Sequence, residues 1–184
     1  MKKSLGKDVL LNNGNPNIKI RFNEEMFLDA VEKISIDIRK NYDLKNKKIG
    51  LIGIARGALP LLVALSHELE IRDVNVVQIK MTKSNEKWDY GVAEYHNGYI
   101  DDDCDEYIIL EDMVSHGRSV NVLVNKLTKE NKKIAAIYTL FMNEDMKKLK
   151  LDNEYMDIKY VNLICQQQWV YFFWEKGYKN EYNI

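Results

Sequence analysis

The stretch Tyr107-Ile108-Ile109-Leu110-Glu111-Asp112-Met113-Val114-Ser115-His116-Gly117-Arg118-Ser119 joins an apolar run to two adjacent carboxylates and then to a small, polar turn containing glycine. Tyr107 to Leu110 is short, aromatic and β-branched, with no polar residue among the four. That is the pattern of a strand buried on both faces, and a parallel sheet is its natural setting. Glu111 and Asp112 then fall at the strand's carboxyl end, where open α/β sheets hold their ligands. Two ionised side chains there suit diol hydroxyls or a magnesium ion, and burial without such partners is costly. Ser115 to Ser119 adds backbone amides and hydroxyls, and Val120, Leu123, Val124 and Leu127 follow at helical spacing. The turn therefore opens a helix and forms an anion cradle. The plainer alternative is an ordinary strand-turn-helix junction with both carboxylates solvated and Ser115 or Ser119 as the helix cap.

A second junction of the same kind lies upstream. Ile49 to Ile54 is another apolar strand, followed by Ala55-Arg56-Gly57-Ala58, by Pro60 at a plausible first helical position, and by the stripe Leu61, Leu62, Leu65 and Leu69. Arg56 stands among small residues that leave the backbone open to close approach, and its guanidinium can clamp phosphate oxygens through two hydrogen bonds. Alternatively it caps the strand end or pairs with a surface carboxylate. Two anion-friendly turns in one chain point towards a phosphorylated sugar.

On these segments the chain resembles the type I phosphoribosyltransferases, and within them the bacterial and archaeal purine (xanthine, guanine, hypoxanthine) branch. The resemblance spans most of the chain and implies an α/β fold: a central parallel sheet flanked by helices, a flexible lid loop and a small C-terminal hood that binds the base. It implies that Glu111 and Asp112 match the family's acidic pair, holding ribose hydroxyls and orienting magnesium. Ser115, His116, Gly117, Arg118 and Ser119 correspond to the loop for the 5-phosphate of phosphoribosyl pyrophosphate (PRPP), and Arg56-Gly57 to the pyrophosphate loop. Near the C-terminus, Trp169-Val170-Tyr171-Phe172-Phe173-Trp174-Glu175 is similar to the branch's Trp-Val-Val-Phe-Pro-Trp-Glu signature. Trp169, with Val170, is thereby expected at the purine. Independently of the family, a flat aromatic beside extended backbone can stack on a heterocycle, although a core aromatic cluster is the commoner fate of such residues.

Three positions depart from the pattern. The aspartate of the family's Asp-Thr-Gly, the usual general acid or base, is Ser115, and serine needs a separate base to take a proton near neutrality. The threonine is His116, suited to phosphate contact, to solvent exposure, or to partial substitution for the missing carboxylate. The lysine that reads the purine 6-oxo group is Asn143 in the best register, and an amide both donates and accepts. Ser115 and His116 are the catalytic candidates; Asn143, Trp169 and Val170 are the base-binding ones. Glu175 is a weaker candidate for approaching the metal through water.

The chain has 184 residues and a net charge of −1, enough length for one domain with a real core and no long basic stripe for nucleic acid. Lysine-rich stretches such as Lys129 to Lys133 and Lys147 to Lys150 read as solvated faces. Cys104 and Cys165 are too few for a disulfide framework and too far apart for a zinc motif, which fits a reducing cytosol. No apolar signal core or membrane span is evident, so a cytoplasmic location is expected. Residues 1–22 read as an irregular or β-like lead-in. Asn23 then caps a helix with the stripe Phe27, Ala30, Val31, Ile34 and Ile38. Strands are expected near Lys48 to Ile54, Val74 to Ile79, Tyr107 to Leu110, Ile134 to Phe141 and Ile158 to Ile164, with helices after the first, third and fourth. Thr82 to Gly98, with Trp88, Tyr90 and Tyr95, is the candidate lid, the alternatives being a plain hairpin or a dimer contact. Asp101 to Asp103 reads as a solvated turn. The expectation is a magnesium-dependent transfer of the phosphoribosyl group from PRPP to a purine-like nucleobase by a homodimer. The alternative of another class is a non-catalytic sensor that binds PRPP or a nucleotide.

Overall fold

The computed structural model describes the chain except for residues 1, 8, 16, 18, 82–91, 145–157, 166–167 and 176–184. The expected helix after the fourth strand, Lys147 to Lys150, and most of the candidate lid with Trp88 and Tyr90 lie outside the described residues.

Among the described residues, seven strands form the central sheet. In spatial order they are β1 (Lys2–Ser4), β8 (Ile158–Ile164), β7 (Ile134–Asn143), β6 (Glu106–Val114), β3 (Ile49–Ala55), β4 (Val74–Met81) and β5 (Ala93–Gly98). All neighbours run parallel except β5, which lies antiparallel on the edge against β4. Strands consecutive in the chain can pair this way without a helical crossover, so the carboxyl end of the candidate lid segment supplies an edge strand. The lead-in resolves into two short strands. β1 extends the sheet beside β8, and β2 (Ile20–Phe22) pairs in parallel with β9 (Val170–Phe172) in a separate two-stranded sheet.

The expected alternation of strand and helix places helices on both faces. α1 (Glu24–Asn41) starts at Asn23, whose Oδ1 accepts the Met26 N–H at 2.8 Å. Glu24 and Glu25 in the first turn, with Arg39 and Lys40 in the last, oppose the helix dipole. The stripe Phe27, Ala30, Val31, Ile34 and Ile38 is buried. α2 (Leu59–Glu68) begins one residue before Pro60 and buries Leu61, Leu62 and Leu65 in the same core, with Leu51, Ile108, Leu110 and Tyr138. α3 (Arg118–Lys129) covers the opposite face, where Val120, Leu123, Val124 and Leu127 meet Ile52, Ile54, Ile109 and Ile137. Successive residues of β3 and β6 thus feed alternate cores, as the two-residue period of a strand requires.

Beneath α1, Lys159 Nζ lies 2.6 Å from Asp37 Oδ2, and the Tyr138 hydroxyl donates to the same oxygen at 2.7 Å. Burial pushes the Asp37 carboxyl upward, but these two hydrogen bonds together with the Lys159 charge hold it below its ordinary range. At the amino end of β6, Glu106 accepts from Lys47 and Lys133, which together lower its carboxyl.

Candidate functional site

β6 continues through the acidic pair to Val114 rather than stopping at Leu110. Its ladder with β7 runs on through Glu111 opposite Thr139 and Val114 opposite Met142, where apolar Met113 and β-branched Val114 continue the strand beyond the acidic pair. Alternation then sends the two carboxylates to opposite faces. Glu111 opens on the α3 side, into a cavity of about 250 Å³ lined by Met113, Val114, the turn from Ser115 to Ser119, Val120 and Trp169. Asp112 opens on the other side, into a cavity of about 630 Å³ shared with Ala55, Arg56, Gly57, Trp174 and Glu175. Two adjacent cavities at the carboxyl end of the sheet thus have one carboxylate each, and the two upstream and downstream turns face them.

Gly57 explains how the Arg56 turn comes so close to the strand. A Cβ placed there would lie 2.0 Å from Asp112 Oδ2, so no larger residue fits beside that carboxylate. The Ala55–Arg56 peptide is cis. Arg56 itself is exposed at the cavity rim. At the other turn Gly117 has φ of +68°, a left-handed conformation that glycine adopts without strain, and it immediately precedes α3. No side chain caps α3, so the amides of its first turn face the cavity without an intrahelical acceptor. Ser115 Oγ lies 3.2 Å from His116 Nδ1.

Glu111 is buried, and burial together with the neighbouring Asp112 charge pushes its carboxyl well above the usual range. It accepts the Asp112 N–H at 3.1 Å, while Asp112 Oδ1 accepts the Met113 N–H at 2.8 Å. Neither carboxylate has a basic partner among the described residues. A pair of carboxylates in that setting gains by meeting hydroxyl donors or a cation. No cluster of three or more His, Cys, Asp or Glu able to hold a metal occurs among the described residues. Asp102 pairs with Lys132, in keeping with a surface turn at Asp101 to Asp103.

The C-terminal aromatics divide by face. Trp169 is 54% exposed and lines the Glu111 cavity, 6.3 Å from the Tyr171 ring. Trp174 instead stacks on Phe172 at 4.7 Å within the cluster of Phe22, Phe27 and Phe141. The Val170 side chain is buried in the core beside Ile20 and Phe172, so only its backbone is left to meet a ligand. Asn143 ends β7, buried and opposite Ile164, and lines neither cavity. Met113, Val114, Val120 and Trp174 line the cavities without having been anticipated there: as apolar residues of strand, helix and C-terminal aromatic segment they carry no signal that separates a wall from a core.

Residues 22–181 match the family model of the phosphoribosyl transferase domain. Similar solved structures include the Helicobacter pylori xanthine-guanine-hypoxanthine phosphoribosyltransferase, at 20% identity and a TM-score of 0.66 over 91% of this chain and 100% of that one. A Pyrococcus horikoshii purine phosphoribosyltransferase is 22% identical, with a TM-score of 0.61 over 86% of this chain and 94% of its own. A Bacillus anthracis hypoxanthine-guanine phosphoribosyltransferase is 16% identical, with a TM-score of 0.61 over 77% and 81%. No curated protein sequence matches the chain. No helix among the described residues is long and apolar enough to cross a membrane.

Proposed function

The chain belongs to the phosphoribosyltransferase family, and from that premise we propose that it transfers the 5-phosphoribosyl group of PRPP to a nitrogen of a purine-like base, giving a nucleoside monophosphate and pyrophosphate. The observation that carries this reading is the meeting of the Arg56-Gly57 turn, Glu111, Asp112, the turn opening α3, and Trp169 around two adjoining cavities at one end of the sheet.

The 5-phosphate lies at the amino terminus of α3, where Ser115 to Ser119 offer amides and hydroxyls and the helix dipole favours negative charge. Ribose hydroxyls donate to Glu111 and Asp112. The pyrophosphate takes the Asp112 side, where Arg56 supplies charge and Gly57 lets the backbone approach. The base takes the Glu111 side, against Trp169. Magnesium, when bound with PRPP, supplies positive charge to the departing pyrophosphate; Glu111 and Asp112 are the residues that would hold it, since this ion is commonly bound by one or two carboxylates together with substrate phosphates.

Cleavage of the ribose-pyrophosphate bond leaves positive charge on the sugar, which the carboxylates beside it stabilise. The proton lost by the acceptor nitrogen passes to Ser115 Oγ only if that hydroxyl gives up its own, and His116 Nδ1 is within hydrogen-bond distance to take it. This arrangement replaces a carboxylate that takes the proton directly by a relay through two groups, so turnover is slow or directed at acceptors that need little help with proton transfer. Asn143 stands where the resemblance implies a lysine, but it is buried at the end of β7 and lines neither cavity, so no contact with the base is assigned to it.

Incubation with PRPP and magnesium against a panel of purines, pyrimidines and related heterocycles, read by mass spectrometry beside a PRPP-binding titration, tests the proposal. A nucleoside monophosphate is the expected product. Binding of PRPP or nucleotide without product from any base would favour a non-catalytic sensor, and absence of both would overturn the ribose-phosphate reading.

A further inference from the structure

We propose that Gln168 is a positioning residue for base recognition, and that the segment Leu10–Asn15 is the support through which it holds Trp169 at the cavity. The inference rests on the reading of Trp169 as the wall against which the base stacks.

Gln168 is 5% exposed and its amide group is fully engaged. Its Oε1 accepts the Cys165 N–H at 3.0 Å, and its Nε2 donates to the Leu11 carbonyl at 2.9 Å and the Asn15 carbonyl at 3.3 Å. One side chain therefore ties the connection between β8 and β9 to a segment about 150 residues away in sequence. The same segment is held at two further points: the Cys165 thiol donates to the Gly14 carbonyl at 3.1 Å, and Leu10 bridges to Leu163 at the end of β8.

Trp169 is the next residue. It is fixed on its other side by the Ile20 N–H, which donates to its carbonyl at 2.9 Å, where β2 meets β9. Its ring is more than half exposed and meets the Tyr171 ring at 6.3 Å. The backbone on which it stands is thus held by the segment Leu10–Asn15 and by Ile20, with Gln168 as the polar fastening. Nothing about Gln168 touches either cavity, so its effect reaches a ligand only through Trp169. Loss of the donor pair removes the side-chain tie to the Leu11 and Asn15 carbonyls and frees the segment. A base stacked on Trp169 then loses a pre-organised wall, whereas the ribose and phosphate contacts on β6 and α3 do not change.

The test compares the affinity of a purine nucleoside 5′-monophosphate such as GMP with that of ribose 5-phosphate, by calorimetric titration, in wild type and Gln168→Met. Methionine keeps the volume and removes all three hydrogen bonds. The expected result is a loss of about tenfold or more for the nucleotide with ribose 5-phosphate unchanged, and with faster amide exchange at residues 9–15 and 168–172. Should Gln168→Met not fold, Gln168→Glu keeps the oxygen facing Cys165, removes the donors and gives the same comparison. Affinities that are both unchanged, or both weakened by one factor, would overturn the inference and leave the ribose-phosphate site intact. Wild-type protein that gains nothing from the base over ribose 5-phosphate would overturn it too. Wild-type protein that binds neither compound would overturn the reading of the site itself, and this inference with it.

Discussion

At the scale of single residues, the site is defined by side chains with no room for change and by others that depart from the family pattern. Gly57 is of the first kind. Gly57→Ala sets a methyl group against the Asp112 carboxylate, and PRPP affinity is expected to fall by tenfold or more in a binding titration while the fold persists. Ser115 is of the second kind. Ser115→Asp restores a carboxylate beside the acceptor, and kcat on purines is expected to rise about 10- to 100-fold, within the range usual for a positioned general acid or base; unchanged turnover would remove proton transfer as the limiting step. Glu111 illustrates a cost to stability. Its carboxyl is raised by burial and by Asp112, so above the ordinary value of 4.5 the folded state keeps a proton that the unfolded state releases, and stability declines as pH rises. Glu111→Gln should therefore raise the thermal midpoint of the ligand-free protein by a few degrees near neutral pH, with the gain shrinking below pH 4.5, while ribose-phosphate binding is lost.

At the scale of elements, the junctions at the ends of β3 and β6 were legible because local chemistry declares them. An apolar strand, a glycine-bearing turn and a helical stripe follow within a few residues, and each is set by short-range preference. The cap at Asn23 and the stripes of α1 and α3 were legible for the same reason. The length of β6 was not. Polar Glu111 and Asp112 look like the end of a strand until β7 is beside them to continue the ladder. The anchoring of α1 was hidden too, because Asp37, Tyr138 and Lys159 lie 21 to 122 residues apart. Asp37→Ala leaves Lys159 charged and buried, and the expected cost is about 3 kcal/mol or more, read by denaturant unfolding. The Asp37 carboxyl is held below its ordinary 3.8, so its contribution is present above that pH and is lost as pH falls through the lower folded value. The acid-unfolding curve of the variant should be correspondingly shallower than that of the wild type.

At the scale of the whole molecule, the two cavities sit where the mostly parallel sheet presents the carboxyl ends of β3 and β6, with the small β2–β9 sheet beside them. Ligands that bridge these parts stabilise the folded state by mass action. PRPP with magnesium at a hundred times its dissociation constant should add about 2.7 kcal/mol and raise the thermal midpoint by roughly 5 to 10 °C; no shift with PRPP or any nucleoside monophosphate would contradict a ribose-phosphate site. Short-range preference in the sequence by itself determined the α/β class and both strand-turn-helix junctions with the acidic pair, while the departures at Ser115, His116 and Asn143 were legible only against the family resemblance. Only the tertiary structure decided that Glu111 and Asp112 serve different cavities, that Gly57 stands against Asp112, that Val170 turns into the core, and that Gln168 fastens Leu11 and Asn15 beneath Trp169. Those relations join residues far apart in the chain, and no local preference encodes a contact whose partner is supplied by another element.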